Sequence, residues 1–297
     1  MAFARTASIF CSTFCVCIAL AGGARALECA PAQRTIVNTD ALPDGRIRIP
    51  VMLDGRALSL LVDTGGVSTT IKGELAREMG LAVKQTQRRL AGMGGSMMNF
   101  AVDGGNFSIA DLRVANKPIY VESRALEAAD GTLAADILRN YDVEFDMAQN
   151  RMSLAAPGGC AAPQGAQGDS VAIDVAQSGH VRFPVKIDGK TIMATLDTGA
   201  ATSVVSMRAA ALLGIHPDAP GMELVHDTGR YRLYTYPFQT LELGGTAVNK
   251  PHIAIASDGF MPGMDADLVL GIDALSQMRF TIAYGRGRLY INETQAN

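Results

Sequence analysis

Segments of the chain recur at the interval that separates position 63 from position 197. This repeat limits the fold more than any other feature of the sequence. Residues 45–55 and 179–189 share Gly, Arg, Pro, Val, Asp and Gly at equivalent positions. At the same interval, the Asp-Thr-Gly at 63–65 recurs at 197–199. A repeat of this length indicates one structural unit that is present twice. We therefore predict two copies of one fold.

Each copy has the pattern of paired strands followed by a short helix. An alternating strand ends at an Asp-Gly pair, which is a hairpin signal, and the returning strand is predicted at 58–62 and at 191–196. Short helices are predicted at 73–79 and 206–213, each followed by a glycine of the kind that ends helices. An apolar strand segment then recurs at 136–151 and 273–288. With 31 glycines in 297 residues, this pattern favours a β-rich fold.

The boundaries of the two copies follow from local composition. Residues 156–169 are rich in Ala, Gly, Pro and Gln and indicate a linker between a first lobe at 27–155 and a second lobe at 170–297. Residues 1–26 have the charged start, apolar run and small-residue cleavage site of a secretory signal peptide. We expect a periplasmic or secreted protein with no stable membrane span after cleavage. An uncleaved N-terminal anchor is the alternative.

The cysteines, histidines and net charge limit the possible partners. Three of the five cysteines lie in residues 1–26, which leaves Cys29 and Cys160. An even number in an exported protein indicates one disulfide, with two unpaired thiols as the alternative. These two cysteines and four scattered histidines, His180 among them, lack the spacing of metal ligands, so we expect neither a metal nor a cofactor. The formal charge of −3 disfavours a nucleic acid partner.

Two Asp-Thr-Gly sequences at equivalent positions predict a pair of carboxyl groups. Residues at strand ends that face a pseudo-twofold axis can meet across it, so Asp63 and Asp197 are expected to lie side by side. Two such carboxylates do not both ionise cheaply and therefore share one proton. The ionised member takes a proton from a water molecule, and the protonated member hydrogen-bonds the carbonyl oxygen of the substrate. This chemistry hydrolyses an amide without a covalent intermediate.

The residues that follow the two aspartates have supporting roles in this hypothesis. The hydroxyls of Thr64 and Thr198 are expected to cross-link the two loops. Gly65 and Gly199 are expected to allow close approach of the backbone and to leave room for the water. The alternative is that each Asp-Thr-Gly only marks a turn after a strand, with Gly adopting a positive φ.

Both motifs resemble the active-site loops of the retropepsin–pepsin superfamily of aspartic proteases. The resemblance rests on Leu-Val-Asp-Thr-Gly-Gly-Val-Ser at 61–68, Thr-Leu-Asp-Thr-Gly-Ala-Ala-Thr at 195–202 and the apolar segment at 268–275, and it covers nearly all of residues 42–292. With its export signal, the chain is similar to bacterial periplasmic retropepsin-like proteases with two fused lobes. The resemblance implies an all-β acid-protease fold: two duplicated barrel-like lobes with short helices, a cleft between them and a β-hairpin flap.

By this resemblance, the flap contains Gly92, Met93, Gly94 and Gly95, whose glycines suit a mobile hairpin tip. An ordinary surface loop is the alternative for this segment. In the second copy, an alternating run of tyrosines at 231, 234 and 236 either lines the cleft or packs in the lobe.

Three positions depart from the family pattern. Gly66 and Ala200 stand where the pepsin branch commonly has serine, and the loss of that hydroxyl predicts an aspartate pair that titrates at higher pH. Ala134 stands where the second copy has Gly271, which adds a Cβ beside the first active-site loop. The flap contains no tyrosine, so any flap hydrogen bond to substrate comes from another residue.

We predict an exported aspartic endopeptidase that binds a protein or peptide substrate in extended form and cleaves it with Asp63 and Asp197. A non-catalytic periplasmic peptide-binding protein on the same fold is the alternative. The sequence contains neither Gly-x-Ser-x-Gly nor His-Glu-x-x-His, which disfavours serine and metal hydrolases. Because the linker gives the two copies a high effective concentration, we expect a monomer with an intramolecular dyad. Pairing between chains is the alternative.

Overall fold

The computed structural model of the chain describes residues 33–91, 97–114, 117–122, 128–158, 170–257, 260, 266–276 and 278–293. In this part of the chain, most residues lie in strands and the helices are short, so the predicted all-β fold with two duplicated lobes is confirmed. Several predictions fall outside the described residues: the signal peptide at 1–26, Cys29, Cys160, and the flap residues Gly92, Met93, Gly94 and Gly95. Of the predicted linker, only residues 156–158 are described.

The first lobe is a ten-stranded sheet. Strand β1 (Arg34–Asn38) precedes it, and its strands are β2 (Asp40–Ala41), β3 (Ile47–Leu53), β4 (Arg56–Asp63), β5 (Thr70–Lys72), β6 (Lys84–Ala91), β7 (Met97–Val102), β8 (Phe107–Ile109), β9 (Leu112–Arg113), β10 (Ile119–Glu122) and β11 (Gly131–Ala134). The strand order is β6-β7-β10-β5-β11-β4-β3-β8-β9, and β2 pairs with β3. Helix α1 (Gly73–Glu78) follows β5, and α2 (Ala135–Leu138) follows β11.

The second lobe repeats this sheet strand for strand. After β12 (Asp142–Asp146), β13 (Arg151–Ala155) and β14 (Ser170–Ala172) come β15 (Asp174–Val175), β16 (Val181–Ile187), β17 (Lys190–Leu196), β18 (Ser203–Ser206), β19 (Glu223–Asp227), β20 (Arg232–Thr235), β21 (Thr240–Leu243), β22 (Thr246–Asn249), β23 (Ile253–Ala256), β24 (Leu268–Leu270), β25 (Met278–Ala283) and β26 (Arg288–Glu293). The order β19-β20-β23-β18-β24-β17-β16-β21-β22, with β15 on β16, matches that of the first lobe. Helices α3 (Met207–Leu212) and α4 (Ile272–Leu275) and a short 3₁₀ helix (Tyr284–Arg286) complete the described elements.

The local predictions from turn and cap residues agree with these elements. The Asp-Gly pairs at 54–55 and 188–189 have positive φ at both residues, 48° and 82° in the first pair and 48° and 77° in the second, and they join β3 to β4 and β16 to β17. Such angles are those of a two-residue type I′ hairpin. The glycines after α1 and α3 also have positive φ, as expected of cap glycines.

One local prediction was wrong in detail. The segments 136–151 and 273–288 are not continuous apolar strands, because each begins with one turn of helix and then forms two paired strands. The helical turns α2 and α4 begin where β11 and β24 leave the sheets, and their backbone N–H groups bond to the active-site loops described below. Four-residue helices do not span enough sequence for helical periodicity to appear.

A third sheet joins the two lobes. Its order is β1-β13-β12-β25-β26-β14, so each copy contributes strands, and β12 pairs with β25 at the centre. The rings of Phe145 and Phe280 stack across this pairing at 4.6 Å. The carboxylate of Glu144 accepts from Arg34 at 2.9 Å and from Arg279 at 2.6 Å. This sheet therefore fixes the position of one lobe relative to the other.

The apolar core is continuous through both lobes. A single cluster of buried residues contains Leu60 and Val62 of β4 together with Ala194 and Leu196 of β17. The strands that carry the two Asp-Thr-Gly motifs therefore lie inside a packed interior. None of the described helices is long and apolar enough to cross a membrane.

Candidate active site

Each Asp-Thr-Gly motif begins where a central strand of its sheet ends. Strand β4 ends at Asp63 and pairs in parallel with β11, so that Asp63 lies opposite Ala134. Strand β17 ends just before Asp197 and pairs in parallel with β24. The backbone N–H of Asp197 donates to the carbonyl of Leu270 at 2.9 Å. Because neighbouring strands hold both sides of these strands, the aspartates project from rigid supports.

The structure brings the two carboxyl groups together within one chain. A Cβ built on Gly65 would lie 2.3 Å from Cγ of Asp197, and a Cβ built on Gly199 would lie 2.5 Å from Cγ of Asp63. Each carboxyl group therefore lies against the glycine of the other loop, and the two carboxyl groups share a hydrogen bond. Only glycine fits at these two positions, since any side chain would occupy the space of a carboxyl group.

Backbone N–H groups hold each carboxyl group in the same way. Oδ1 of Asp197 accepts from the N–H groups of Gly199 at 2.9 Å and Ala200 at 3.1 Å. The carboxyl of Asp63 likewise accepts backbone hydrogen bonds from the two residues that follow Thr64. Hydrogen bonds of this kind stabilise the ionised form. The two loops thus provide equivalent support for a negative charge.

Burial raises the pKa values of both carboxyl groups, and their contact with each other acts on the two in opposite directions. For Asp63, burial raises the pKa, whereas the hydrogen bond from Asp197 and the backbone N–H groups act in the opposite direction. For Asp197, burial, the charge of Asp63 and their shared hydrogen bond all raise the pKa, which lies well above 3.8. The two carboxyl groups therefore share one proton, and their pKa values belong to the pair rather than to either residue. Asp63 is the more accessible of the two to solvent.

The two threonines join the loops by a symmetrical set of four hydrogen bonds. The N–H of Thr64 donates to Oγ1 of Thr198 at 3.1 Å, and the N–H of Thr198 donates to Oγ1 of Thr64 at 3.0 Å. Each hydroxyl in turn donates to a carbonyl of the opposite strand, Thr64 to Leu196 at 3.0 Å and Thr198 to Val62 at 2.8 Å. Both threonines are fully buried. The loops therefore cannot separate without breaking buried hydrogen bonds.

The Cβ that Ala134 adds beside the first loop is accommodated by its neighbour. Gly66 lies there without a side chain, and a Cβ built on it would lie 3.1 Å from Cβ of Ala134. In the second loop, Ala200 has a Cβ and Gly271 is the residue that follows β24. A Cβ on Gly271 would lie 2.9 Å from the carbonyl oxygen of Ala200. In the first loop Gly66 leaves room for the methyl group of Ala134, whereas in the second loop backbone atoms exclude a side chain at position 271.

The close contact between positions 66 and 134 predicts that substitutions at the two positions have coupled effects on stability. Gly66→Ala is expected to lower the free energy of unfolding by about 1–3 kcal/mol, because its Cβ crowds Ala134 and a carboxyl oxygen of Asp63. Adding Ala134→Gly is expected to restore part of that loss. Urea unfolding of the wild type, both single variants and the double variant measures the coupling between the two positions. Strictly additive effects would contradict a shared space.

His180 is a neighbour of the site that the sequence analysis did not select. It comes just before β16, and its ring interacts with the carbonyl of Gly65 and the carboxylate of Asp63. Burial lowers the pKa of His180, so the ring is neutral at neutral pH. Its Nε2 is buried without a hydrogen-bond partner among the described residues. The first lobe has Arg46 at the equivalent position, and comparison of the two copies could have singled out this difference.

Each lobe carries a hairpin at the same edge of its sheet. Strands β6 and β7 form the stem of the predicted flap, whose tip lies outside the described residues. Strands β19 and β20 form the matching hairpin, which the sequence analysis missed. At its tip, Asp227 accepts from the N–H of Gly229 at 2.7 Å and from Arg232 at 2.9 Å. Tyr231 lies in this tip, edge-on to Phe260 at 4.8 Å.

No group of three or more His, Cys, Asp or Glu side chains within the described ranges could hold a metal ion.

The other two tyrosines of the second copy are placed differently from the one at the hairpin tip. Tyr234 lies within β20, and Tyr236 lies just after that strand in the wall of a cavity. The alternating run of tyrosines therefore does not form one face of the site.

Comparisons with known proteins agree with this fold. The model of a family described as aspartyl protease matches residues 49–137 and 183–274, once in each copy. An aspartic proteinase from Irpex lacteus has a similar structure, with a TM-score of 0.55, 15% identity, and coverage of 89% of this chain and 98% of that chain. Conglutin gamma, a basic 7S globulin from lupine seeds, has a TM-score of 0.53 at 8% identity, over 89% and 96% of the two chains. No curated protein sequence matches significantly.

Proposed function

Because the chain belongs to the aspartyl protease family, we propose that it is an aspartic endopeptidase in which Asp63 and Asp197 activate a water molecule to hydrolyse peptide bonds. The observation that carries this proposal is the contact of two carboxyl groups from the two copies, each held by backbone N–H groups. The export predicted from residues 1–26 is part of the same proposal.

The two carboxyl groups divide the chemistry between them. Asp63 is ionised and in contact with solvent. It removes a proton from the water molecule as the oxygen of that water bonds to the carbonyl carbon of the substrate. Asp197 gives its proton to the carbonyl oxygen, which neutralises the charge that develops there. The C–N bond then breaks, the proton held by Asp63 moves to the leaving nitrogen, and Asp197 recovers its proton from the hydroxyl.

The two hairpins complete the proposed site. The flap stem β6–β7 and its counterpart β19–β20 occupy the same edge of their sheets, on either side of the pseudo-twofold axis. We assign both as flaps that close over an extended substrate and donate backbone hydrogen bonds to it. Arg230 and Tyr231 lie at the tip of the second hairpin, where they supply a polar and an aromatic group.

The proposal predicts a bell-shaped dependence of kcat/KM on pH, measured with an unfolded protein substrate. The rate is expected to fall at low pH as Asp63 becomes protonated and at high pH as Asp197 loses its proton. Because burial raises both pKa values, the maximum is expected well above pH 3.8. A statine-type inhibitor, whose hydroxyl mimics the tetrahedral intermediate, is expected to abolish cleavage.

One comparison favours a second candidate. A protein described as a seed globulin shares this fold, so the fold also occurs in proteins that are not described as proteases. A peptide-binding protein without catalysis would bind the inhibitor or an extended peptide and leave an unfolded substrate intact at every pH. Cleavage that the inhibitor does not block, or absence of both binding and cleavage, would overturn the proposed site.

A further inference from the structure

Two cavities of similar size lie beside equivalent strands of the two lobes. The cavity of the first lobe has a volume of about 550 Å³ and that of the second about 570 Å³. Tyr120 lines the first and Ala254 the second, at equivalent positions of the two copies, and both lie on strands that pair in parallel with the strand after an Asp-Thr-Gly loop. The two linings therefore correspond in part: Ser68, Lys117, Pro118 and Tyr120 of the first are equivalent to Thr202, Pro251, His252 and Ala254 of the second, whereas residues 235–239 line only the second cavity.

The first cavity lies beside the proposed catalytic loop, where the lobes meet. Val67 and Ser68 continue the loop that begins at Asp63 and form one wall. Arg88 of the flap strand β6 forms another wall, and Gln177, from the turn before His180, closes the cavity from the second lobe. A substrate that passes over the carboxyl pair between the lobes therefore runs past this cavity.

The first cavity has a clear excess of positive charge. Arg88, Lys117 and Arg139 line it, and Asp136 is the one carboxylate among the described residues of its wall. Lys117 lies 3.3 Å from Asp136, whose other oxygen accepts two hydrogen bonds from Thr69. Arg139 donates to a carbonyl at 2.8 Å and keeps its charge. Since the chain as a whole has a formal charge of −3, this local excess is not a consequence of overall composition.

The second cavity has a different lining. The residue equivalent to Lys117 is Pro251, and the residue after α4 that corresponds to Arg139 is Ser276. The walls are mainly apolar and aromatic, and Phe238 packs edge-on against Tyr236 at 5.0 Å. Lys250 and His252 are exposed at the same cavity. The two cavities thus differ in the side chains that they accommodate best.

We infer that the preferred substrate is a peptide with an acidic side chain on one side of the cleaved bond and an apolar side chain on the other. The acidic side chain lies over the first lobe, and the apolar side chain lies over the second. This inference rests on the proposed function, because the orientation of the peptide is defined by the carboxyl pair. A carboxylate in the first cavity gains charge-assisted hydrogen bonds from arginine or lysine. An apolar side chain in the second cavity is removed from water.

The test compares extended peptides that differ at one position at a time, with Glu, Gln or Lys on one side of the cleaved bond. The wild-type protein is expected to cleave the best Glu peptide about tenfold faster in kcat/KM than its Gln counterpart, and the Lys peptide more slowly still. Arg88→Gln is expected to reduce this preference severalfold, and Arg88→Glu to shift it towards Lys. Cleavage of the Gln peptide serves as the internal reference.

Arg89→Gln is the matched control, because Arg89 is the next residue on the same strand, is also exposed and does not line the cavity. It is expected to keep the preference of the wild type. Lys117→Gln provides a second variant within the cavity, with circular dichroism to confirm that it folds. An unchanged preference in Arg88→Gln, or an equal loss in Arg89→Gln, would overturn the inference.

Binding separates this inference from the proposed function. The dissociation constants of the same peptides are measured with the Asp197→Asn variant, which is not expected to cleave them. Tighter binding of Glu peptides without cleavage by the wild type would contradict the catalytic proposal and support the acidic preference. Cleavage without any preference for Glu over Gln or Lys would support catalysis and overturn the preference.

Discussion

Asparagine at position 63 or position 197 is expected to lower kcat for peptide cleavage by at least about 10²–10⁴-fold, the range typical of general acid and base groups. The amide in Asp63→Asn has no basic oxygen to accept the proton of water, and the amide in Asp197→Asn has no acidic proton to give to the substrate. Because the two groups act as one unit, the double variant is expected to be little slower than either single variant. Single-turnover cleavage of an unfolded protein measures all three rates.

A matched control comes from another pair of aspartates at the same interval. Asp54 and Asp188 begin the two hairpin turns, and asparagine tolerates the positive φ of 48° that both adopt. The Oδ1 of Asp188 accepts from two backbone N–H groups, which an amide oxygen can also do. Asp54→Asn and Asp188→Asn are therefore expected to keep full activity. Substantial cleavage by Asp63→Asn or Asp197→Asn in a folded protein would overturn the dyad.

The variants of the carboxyl pair are also expected to differ from the wild type in their free energy of unfolding. The pKa of Asp197 is raised on folding, so its stabilising contribution is complete below about pH 3.8 and is lost as pH rises through its pKa in the folded state. Asp197→Asn removes this titration and is expected to be more stable than the wild type at neutral pH, by about 1.4 kcal/mol for each unit by which folding raises the pKa. Urea unfolding at pH 3.5 and pH 7 measures the change.

Much of the fold was predictable because its information is local and is present twice. Asp-Gly pairs fix hairpin turns through the φ angles that they tolerate, and the glycines after α1 and α3 mark helix ends in the same way. The interval between residues 45–55 and 179–189 also relates Asp63 to Asp197, without any knowledge of the sheets. A pseudo-twofold axis is sufficient to predict that such residues face each other.

The structural features that could not be predicted from the sequence depend on contacts between distant segments. Strands β1 and β14 join a sheet with strands that lie far from them along the chain, and nothing in their own residues identifies those partners. Comparison of the copies could single out His180, but its contact with Asp63 depends on a turn of the second lobe that lies against the first. Similarly, the sequence indicated that Ala134 adds a Cβ beside the first loop. The structure shows that this Cβ occupies space that Gly66, without a side chain, leaves open.

Thr198→Val is expected to lower the free energy of unfolding substantially, although valine and threonine have nearly the same shape. The substitution leaves the N–H of Thr64 without its acceptor and the carbonyl of Val62 without its donor. Each of these two buried groups is expected to cost about 1–3 kcal/mol when unsatisfied, more than the net contribution of an ordinary hydrogen bond. Thr64→Val is expected to have a similar effect, because it removes the two equivalent bonds.

Thr195→Val is the control for this prediction, since Thr195 is buried on β17 but its side chain forms no bond between the two loops in the described part of the chain. Its effect on unfolding in urea is expected to be smaller. The loop variants are also expected to lose cleavage activity under conditions in which they remain folded, because the separation of the two carboxyl groups depends on the same four bonds. If Thr198→Val were as stable and active as Thr195→Val, the threonines would not hold the loops together.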